Sequence, residues 1–111
     1  MAETIFQKLT RAIKEKKQIT FEYHHPDKPD KWGKRVGNPH AIYIHQDSHD
    51  RVDIIQISGV GTNDPNLPKP YLLEYIQNVG ITNNSFTVCS NFNSNAPRYL
   101  KKLIDINENA N

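Results

Sequence analysis

The side chains best able to do chemistry lie mostly between Lys34 and Gly59, in KRVGNPHAIYIHQDSHDRVDIIQISG. Arg35 offers a planar guanidinium that binds phosphate or carboxylate bidentately. It would serve equally well in a surface ion pair. His40 follows Pro39 at a bend. It could bind a ligand, but satisfying backbone at a bulge is the favoured reading. Gln56 falls in an apolar run, where a buried amide needs partners; an internal network is favoured over a ligand contact. Glu74, between Leu73 and Tyr75, could pair across a sheet with Arg35 or Arg51. No second acid or base is placed beside it, so no catalytic carboxylate is expected.

Other chemistries find less support. His45 and His49 are four apart, a ligand spacing on a helix. Here they straddle a turn, and no Cys or carboxylate completes a metal set. The remaining histidines are His24, His25 and His40. Cys89 has no base beside it for nucleophilic work. Gly59-Val60-Gly61 lacks the later glycine and the helix of a phosphate loop. No catalytic residue, metal or cofactor is expected. Tyr43, Tyr71 and Trp32 could stack bases, although core packing is the better reading for the tyrosines. Trp32 stands in a polar loop, so its exposure is informative.

The chain has 111 residues and one cysteine, which excludes an intramolecular disulfide and suits a reducing compartment. Its length is that of a single domain spanning 1–111. No signal-peptide pattern and no apolar run of about 20 residues appears, so a soluble cytoplasmic protein is expected, with no membrane association. Net charge is +2 but uneven. Residues 1–36 hold nine Lys or Arg against five acids, a balance of +4. Such a face could meet a phosphate backbone, with Lys14, Lys17, Lys34 and Arg35 as the candidates. A merely solvated helix face is the simpler alternative.

These residues need elements to position them. Ile5, Phe6, Leu9, Ala12 and Ile13 recur at helical spacing over 5–16, and Thr4 with Gln7 makes a capping box. Gln18–His24 alternates as a half-buried strand, with Ile19, Phe21 and Tyr23 on one side. The Pro-rich, charged stretch 25–31 is a loop. Lys34–Asn38 and Ala41–His45 are strands interrupted at Pro39, which implies a bend, a bulge or an edge position. Residues 46–50 form a turn and 51–58 the next strand. Ile54 and Ile55 are adjacent, so that strand is central. Residues 59–70 form a loop, 71–76 a strand continuing unevenly to Ile81, 83–85 a turn and 86–88 a short strand. Leu100, Leu103 and Ile104 suggest a helix over 97–106. Short antiparallel strands between two helices give an α+β, mainly β class and favour a small closed or nearly closed barrel.

Four stretches carry a family likeness. They are Ala12-Ile13 followed by Ile19-Thr20-Phe21-Glu22-Tyr23; Lys34-Arg35-Val36 with Pro39-His40; Ile55-Gln56-Ile57-Ser58-Gly59; and Tyr71-Leu72-Leu73-Glu74-Tyr75-Ile76. Phe86 and Phe92-Asn93 extend the pattern. Together they resemble the WYL domain, over roughly residues 8–106. The resemblance implies an Sm/SH3-like β-barrel and a ligand- or nucleic-acid-sensing role, usually behind a helix-turn-helix in bacterial transcription regulators. Arg35 matches the family's pre-proline arginine. The Trp-Tyr-Leu triplet itself is absent, with Asp50-Arg51-Val52 in its region. Leu72 replaces the family's later ligand-contacting arginine. A single leading helix leaves no helix-turn-helix for base readout.

The reading is therefore a non-enzymatic regulatory module that binds a small anionic ligand or single-stranded nucleic acid. Arg35, His40, Arg51, Gln56 and Glu74 are its candidate ligand residues. The alternative is a protein-interaction module without nucleic acid, possible also as a homodimer through open sheet edges.

Overall fold

The structure is a computed structural model that describes residues 3–44, 49–60, 67–90 and 92, and the backbone of 101–105. Its first element is helix α1 (Ile5–Glu15). The Thr4 side chain accepts from the Gln7 amide at 3.1 Å, and Gln7 Oε1 accepts from the Thr4 amide at 2.9 Å. This reciprocal pair satisfies two of the donors that a helix start leaves unpartnered. Lys16 closes the helix in the left-handed conformation, φ 54°. Leu9, Ala12 and Ile13 face inward and are fully buried. Arg11 pairs with Glu3 on the outside.

Strand β1 (Lys17–Tyr23) follows, then β2 (Lys34–Ile44), β3 (Asp50–Gly59), β4 (Lys69–Leu72), β5 (Ile76–Ser85) and β6 (Lys101–Asp105). Short 3-10 turns occupy Pro29–Lys31 and Leu73–Tyr75. All pairings are antiparallel, in the order β4-β3-β2-β1-β5. The two halves of β2 use one edge differently: residues 34–37 pair with β1, and 41–44 pair with β6. A register shift between Pro39 and Ala41 separates those halves. Proline cannot donate to the ladder, so the break falls there. β3 lies between β2 and β4, with Ile54 and Ile55 both buried.

Strand parity decides what enters the core. Ile19 and Phe21 of β1, Val52 and Ile54 of β3, and Ile76 and Val79 of β5 pack with Tyr71 beneath α1. Arg35 is the register partner of Phe21 and so projects from the same side. Gln56 continues the Val52, Ile54 row by alternation. Two polar side chains thus stand where the pattern places core residues.

Several expectations need correction. The sheet is not closed into a barrel, because among the described residues no ladder joins β4 to β5. That gap is bridged by the Leu72 amide donating to Tyr23 Oη at 3.0 Å and the His24 amide donating to the Tyr75 carbonyl at 2.8 Å. The helix expected over 97–106 is contradicted at Lys101–Asp105, which is strand; residues 97–100 and 106 lie outside the described residues. Five residues are too few for periodicity to tell helix from strand, and pairing with β2 decided it. Residues 83–85 end β5 instead of turning, and 86–88 lie outside any ladder. The strand expected over 71–76 breaks into β4 and a 3-10 turn that carries Glu74. Residues 45–48 of the expected strand end and turn lie outside the described residues.

Gly59 sets the registration of the β2–β3 end. It pairs with Arg35 at φ 107°, and a Cβ there would lie 2.4 Å from the Lys34 carbonyl oxygen and 2.6 Å from Arg35 Cα. Both neighbours are backbone and cannot turn aside. Gly59→Ala should therefore cost at least about 2 kcal/mol of stability, read from the midpoint of urea unfolding. A loss below about 0.5 kcal/mol would contradict the strain assigned to this crossing.

Candidate functional site

Arg35 is 6% exposed. A buried guanidinium is costly unless its donors are met, and it keeps its charge in proteins. Here it is met by neutral groups. Nη1 donates to Gln56 Oε1 at 3.1 Å, and Nη2 donates to the Lys31 carbonyl at 2.9 Å. Nε is buried and has no partner among the described residues. The guanidinium carbon lies 5.7 Å from the Tyr23 ring centre and 5.8 Å from that of Tyr71, within cation–π range. Among the described residues no carboxylate pairs with Arg35.

Gln56 holds this arrangement. Its Oε1 accepts from Arg35 and from Tyr71 Oη at 2.8 Å, while Nε2 donates to the Val60 carbonyl at 2.7 Å. Each amide end is satisfied, so the side chain has one orientation. Burial pushes the Tyr71 phenol above its ordinary value, against a smaller opposing pull from Arg35, and burial likewise raises Tyr23. Both phenols are neutral at physiological pH, and Tyr71 keeps the proton it donates to Gln56.

A cavity of about 360 Å³ opens beside this group, lined by Tyr23, His25, Lys28, Lys31, Arg35, Lys69, Pro70 and Tyr71. No acidic side chain is among these lining residues. The β1–β2 loop supplies His25, Lys28 and Lys31. Trp32, at the end of that loop, is 44% exposed; its Nε1–H donates to the His25 carbonyl at 2.7 Å, and its indole stacks on His24 at 4.7 Å. A 3-10 turn at Pro29–Lys31 presents the Lys31 carbonyl to Arg35. The arrangement can hold an anion, with His25, Lys28, Lys31 and Lys69 set around the Arg35 guanidinium.

The other sequence candidates lie elsewhere. Glu74 pairs with His49 at 3.5 Å. Arg51 is half-buried on β3, opposite Tyr43 and Leu72. Lys14 sits on the exposed side of α1, and Lys34 is exposed at the start of β2. Lys17 Nζ donates to Ser85 Oγ at 3.2 Å. None of these five lines the Arg35 cavity. Tyr43 is buried and donates to Asp53 at 2.9 Å, a core role. Sequence reasoning named Arg35 and Gln56 but missed Tyr23, His25, Lys28, Lys31 and Lys69 as lining residues. The only signal for Lys28 and Lys31 was the basic balance of the first third, and Lys69 had none. Among the described residues no cluster of His, Cys, Asp or Glu could hold a metal, and no helix is long and apolar enough to cross a membrane.

His40 has a separate task. It is fully buried, with ring centres of Phe86 and Phe92 each 5.2 Å away. Nε2 accepts from the Cys89 amide at 3.0 Å, so Nδ1 carries the proton given to the Asn38 carbonyl at 2.9 Å. This pins Phe86, Cys89 and Phe92 over β2 at its bulge.

Residues 4–49 match the family model of the WYL domain. The match includes α1, β1, β2 and the loop that supplies half the cavity. It ends before Gln56, Lys69 and Tyr71. WYL domains are a regulatory family, not a catalytic one. No curated protein and no solved structure is detectably similar to this chain.

The His40 pair makes stability depend on pH. Burial lowers its pKa below the ordinary imidazole value, outweighing the Asn38 carbonyl and Asp53, which raise it. The unfolded chain therefore takes up this proton first. Its contribution is present above about pH 6.5 and is lost as pH falls from there toward the lowered native value. His40→Gln should flatten this part of the profile. The check is urea unfolding of both proteins between pH 7.5 and 5.5: wild type should lose stability more steeply, by up to about 1.4 kcal/mol per pH unit. Parallel profiles would show that His40 is not the titrating group.

Proposed function

We propose that this protein is a non-enzymatic regulatory module of WYL type, cytoplasmic, which binds an anionic ligand in the Arg35 cavity. A small anion or a single-stranded nucleic acid held through its phosphates would fit this chemistry. The observation that carries the reading is a buried guanidinium with only neutral partners, facing a cavity rimmed by lysines. A structural arginine in such a place would ordinarily be neutralised by a carboxylate. An amide in that position orients the cation without cancelling it. The helix followed by five consecutive antiparallel strands supports an Sm/SH3-like strand arrangement that stops short of closure. Regulation would pass to a partner through the same loop, which also carries Trp32.

The protein-interaction reading rests on a different observation. Trp32 and Leu67, 44% and 53% exposed, leave apolar surface in solvent.

The test is binding of the single strand dT10 and of inorganic pyrophosphate, by wild type, Arg35→Ala and Gln56→Glu. Wild type should bind, and its dT10 affinity should fall about tenfold or more between 50 and 200 mM salt if three phosphates are contacted. Gln56→Glu keeps the shape but sets a carboxylate against Arg35, so it should weaken both probes at least tenfold. Absence of binding to either probe by folded wild type at 20 mM salt rejects the anion reading and leaves the protein-interaction one.

A further inference from the structure

We propose that the Arg35 cavity selects a terminal phosphomonoester over an internal phosphodiester. The inference rests on the anion-binding reading above and narrows it.

The cavity has depth, and its charges are layered. Arg35 and Tyr71 are buried and form the floor. Tyr23, His25 and Lys69 are half-buried on the walls, while Lys28, Lys31 and Pro70 are exposed at the mouth. The Arg35 guanidinium is thus the innermost charge of the cavity, held by Gln56 and the Lys31 carbonyl, and a charged group that approaches it must enter past the walls.

An internal phosphodiester has two chain substituents on its phosphorus, which must both leave the cavity. A terminal phosphomonoester has one substituent and three free oxygens. It can therefore lead with its charged end and leave its body between the tyrosine and histidine walls. The volume of about 360 Å³ suits a group of that size with one attached ring system, near the lower end of small-molecule sites.

Charge points the same way. A phosphomonoester carries about −1.5 to −2 at pH 7, whereas a diester carries −1. Arg35, Lys28, Lys31 and Lys69 converge on one cavity with no acid among the described lining residues. The second charge of the monoester is what this surplus rewards. Both the phosphorylated end of a nucleic-acid strand and a free phosphorylated small molecule have this chemistry.

The test uses two matched pairs of probes: thymidine 5′-monophosphate against its methyl ester, and 5′-phosphorylated dT6 against 5′-hydroxyl dT6. Trp32 is the sole tryptophan and is hydrogen-bonded to the His25 backbone, so its fluorescence reports occupancy, with calorimetry as the check. The phosphorylated member should bind at least tenfold tighter in one pair or both. Preference only in the nucleotide pair assigns a small molecule, and preference only in the oligonucleotide pair assigns a strand end. Arg35→Ala should erase the preference. Should that variant not fold, Lys28→Ala/Lys31→Ala should reduce it at least threefold, because both side chains are exposed and the Lys31 carbonyl is retained. Equal affinity within both pairs, with binding still lost in Gln56→Glu, overturns the proposal and keeps the anion site. No binding of any probe or of inorganic phosphate overturns both.

Discussion

The fold is arranged around the need to solvate one buried cation with protein. Arg35 occupies a core-facing position of β2 because its register partner is Phe21. Water cannot reach most of it, so the structure supplies an amide oxygen, a loop carbonyl and two tyrosine faces. Each supplier comes from a different part of the chain. Gln56 is on β3, Lys31 is in the β1–β2 loop, Tyr23 ends β1 and Tyr71 lies in β4. The guanidinium therefore ties four segments together at the open end of the sheet. The same dependence explains why the gap between β4 and β5 does not gape: Tyr23, fixed against Arg35, receives the Leu72 amide.

His40 offers a useful contrast. It too is a buried polar side chain on β2, but both its ring nitrogens are satisfied internally, by Asn38 and Cys89. Arg35 instead has a cavity rimmed by lysines beside it. Complete pairing of its own nitrogens suits His40 to holding the fold.

Much of this was legible in the sequence where a local rule governs. The capping box at Thr4, the alternation of Ile19, Phe21 and Tyr23, the bulge at Pro39 and the adjacent pair Ile54-Ile55 each depend on neighbours in the chain, and each appears in the structure. What failed depended on distant contacts. Residues 101–105 are strand because β2 has an edge for them, and Leu103 with Ile104 fits a helix stripe equally well in isolation. The site divides in the same way. Gln56 stands out as a polar residue in an apolar row, and Arg35 through its match to the family's pre-proline arginine. His25, Lys28 and Lys31 look like ordinary loop polarity, and only the folded loop brings them to the Arg35 cavity.

The shared edge of β2 has a consequence for the order of assembly. Its first half is covered by β1, which precedes it closely in the chain. Its second half is covered by β6, and the pair Ala41–Asp105 lies roughly sixty residues apart. During synthesis the segment 41–44 must wait with one row of amides and carbonyls unmatched until residue 105 has emerged. An extended segment of another nascent chain can occupy that row in the interval, since backbone pairing is indifferent to identity. The bulge at Pro39 limits the hazard, because it confines the waiting edge to four residues and leaves little length for a competing strand to grip.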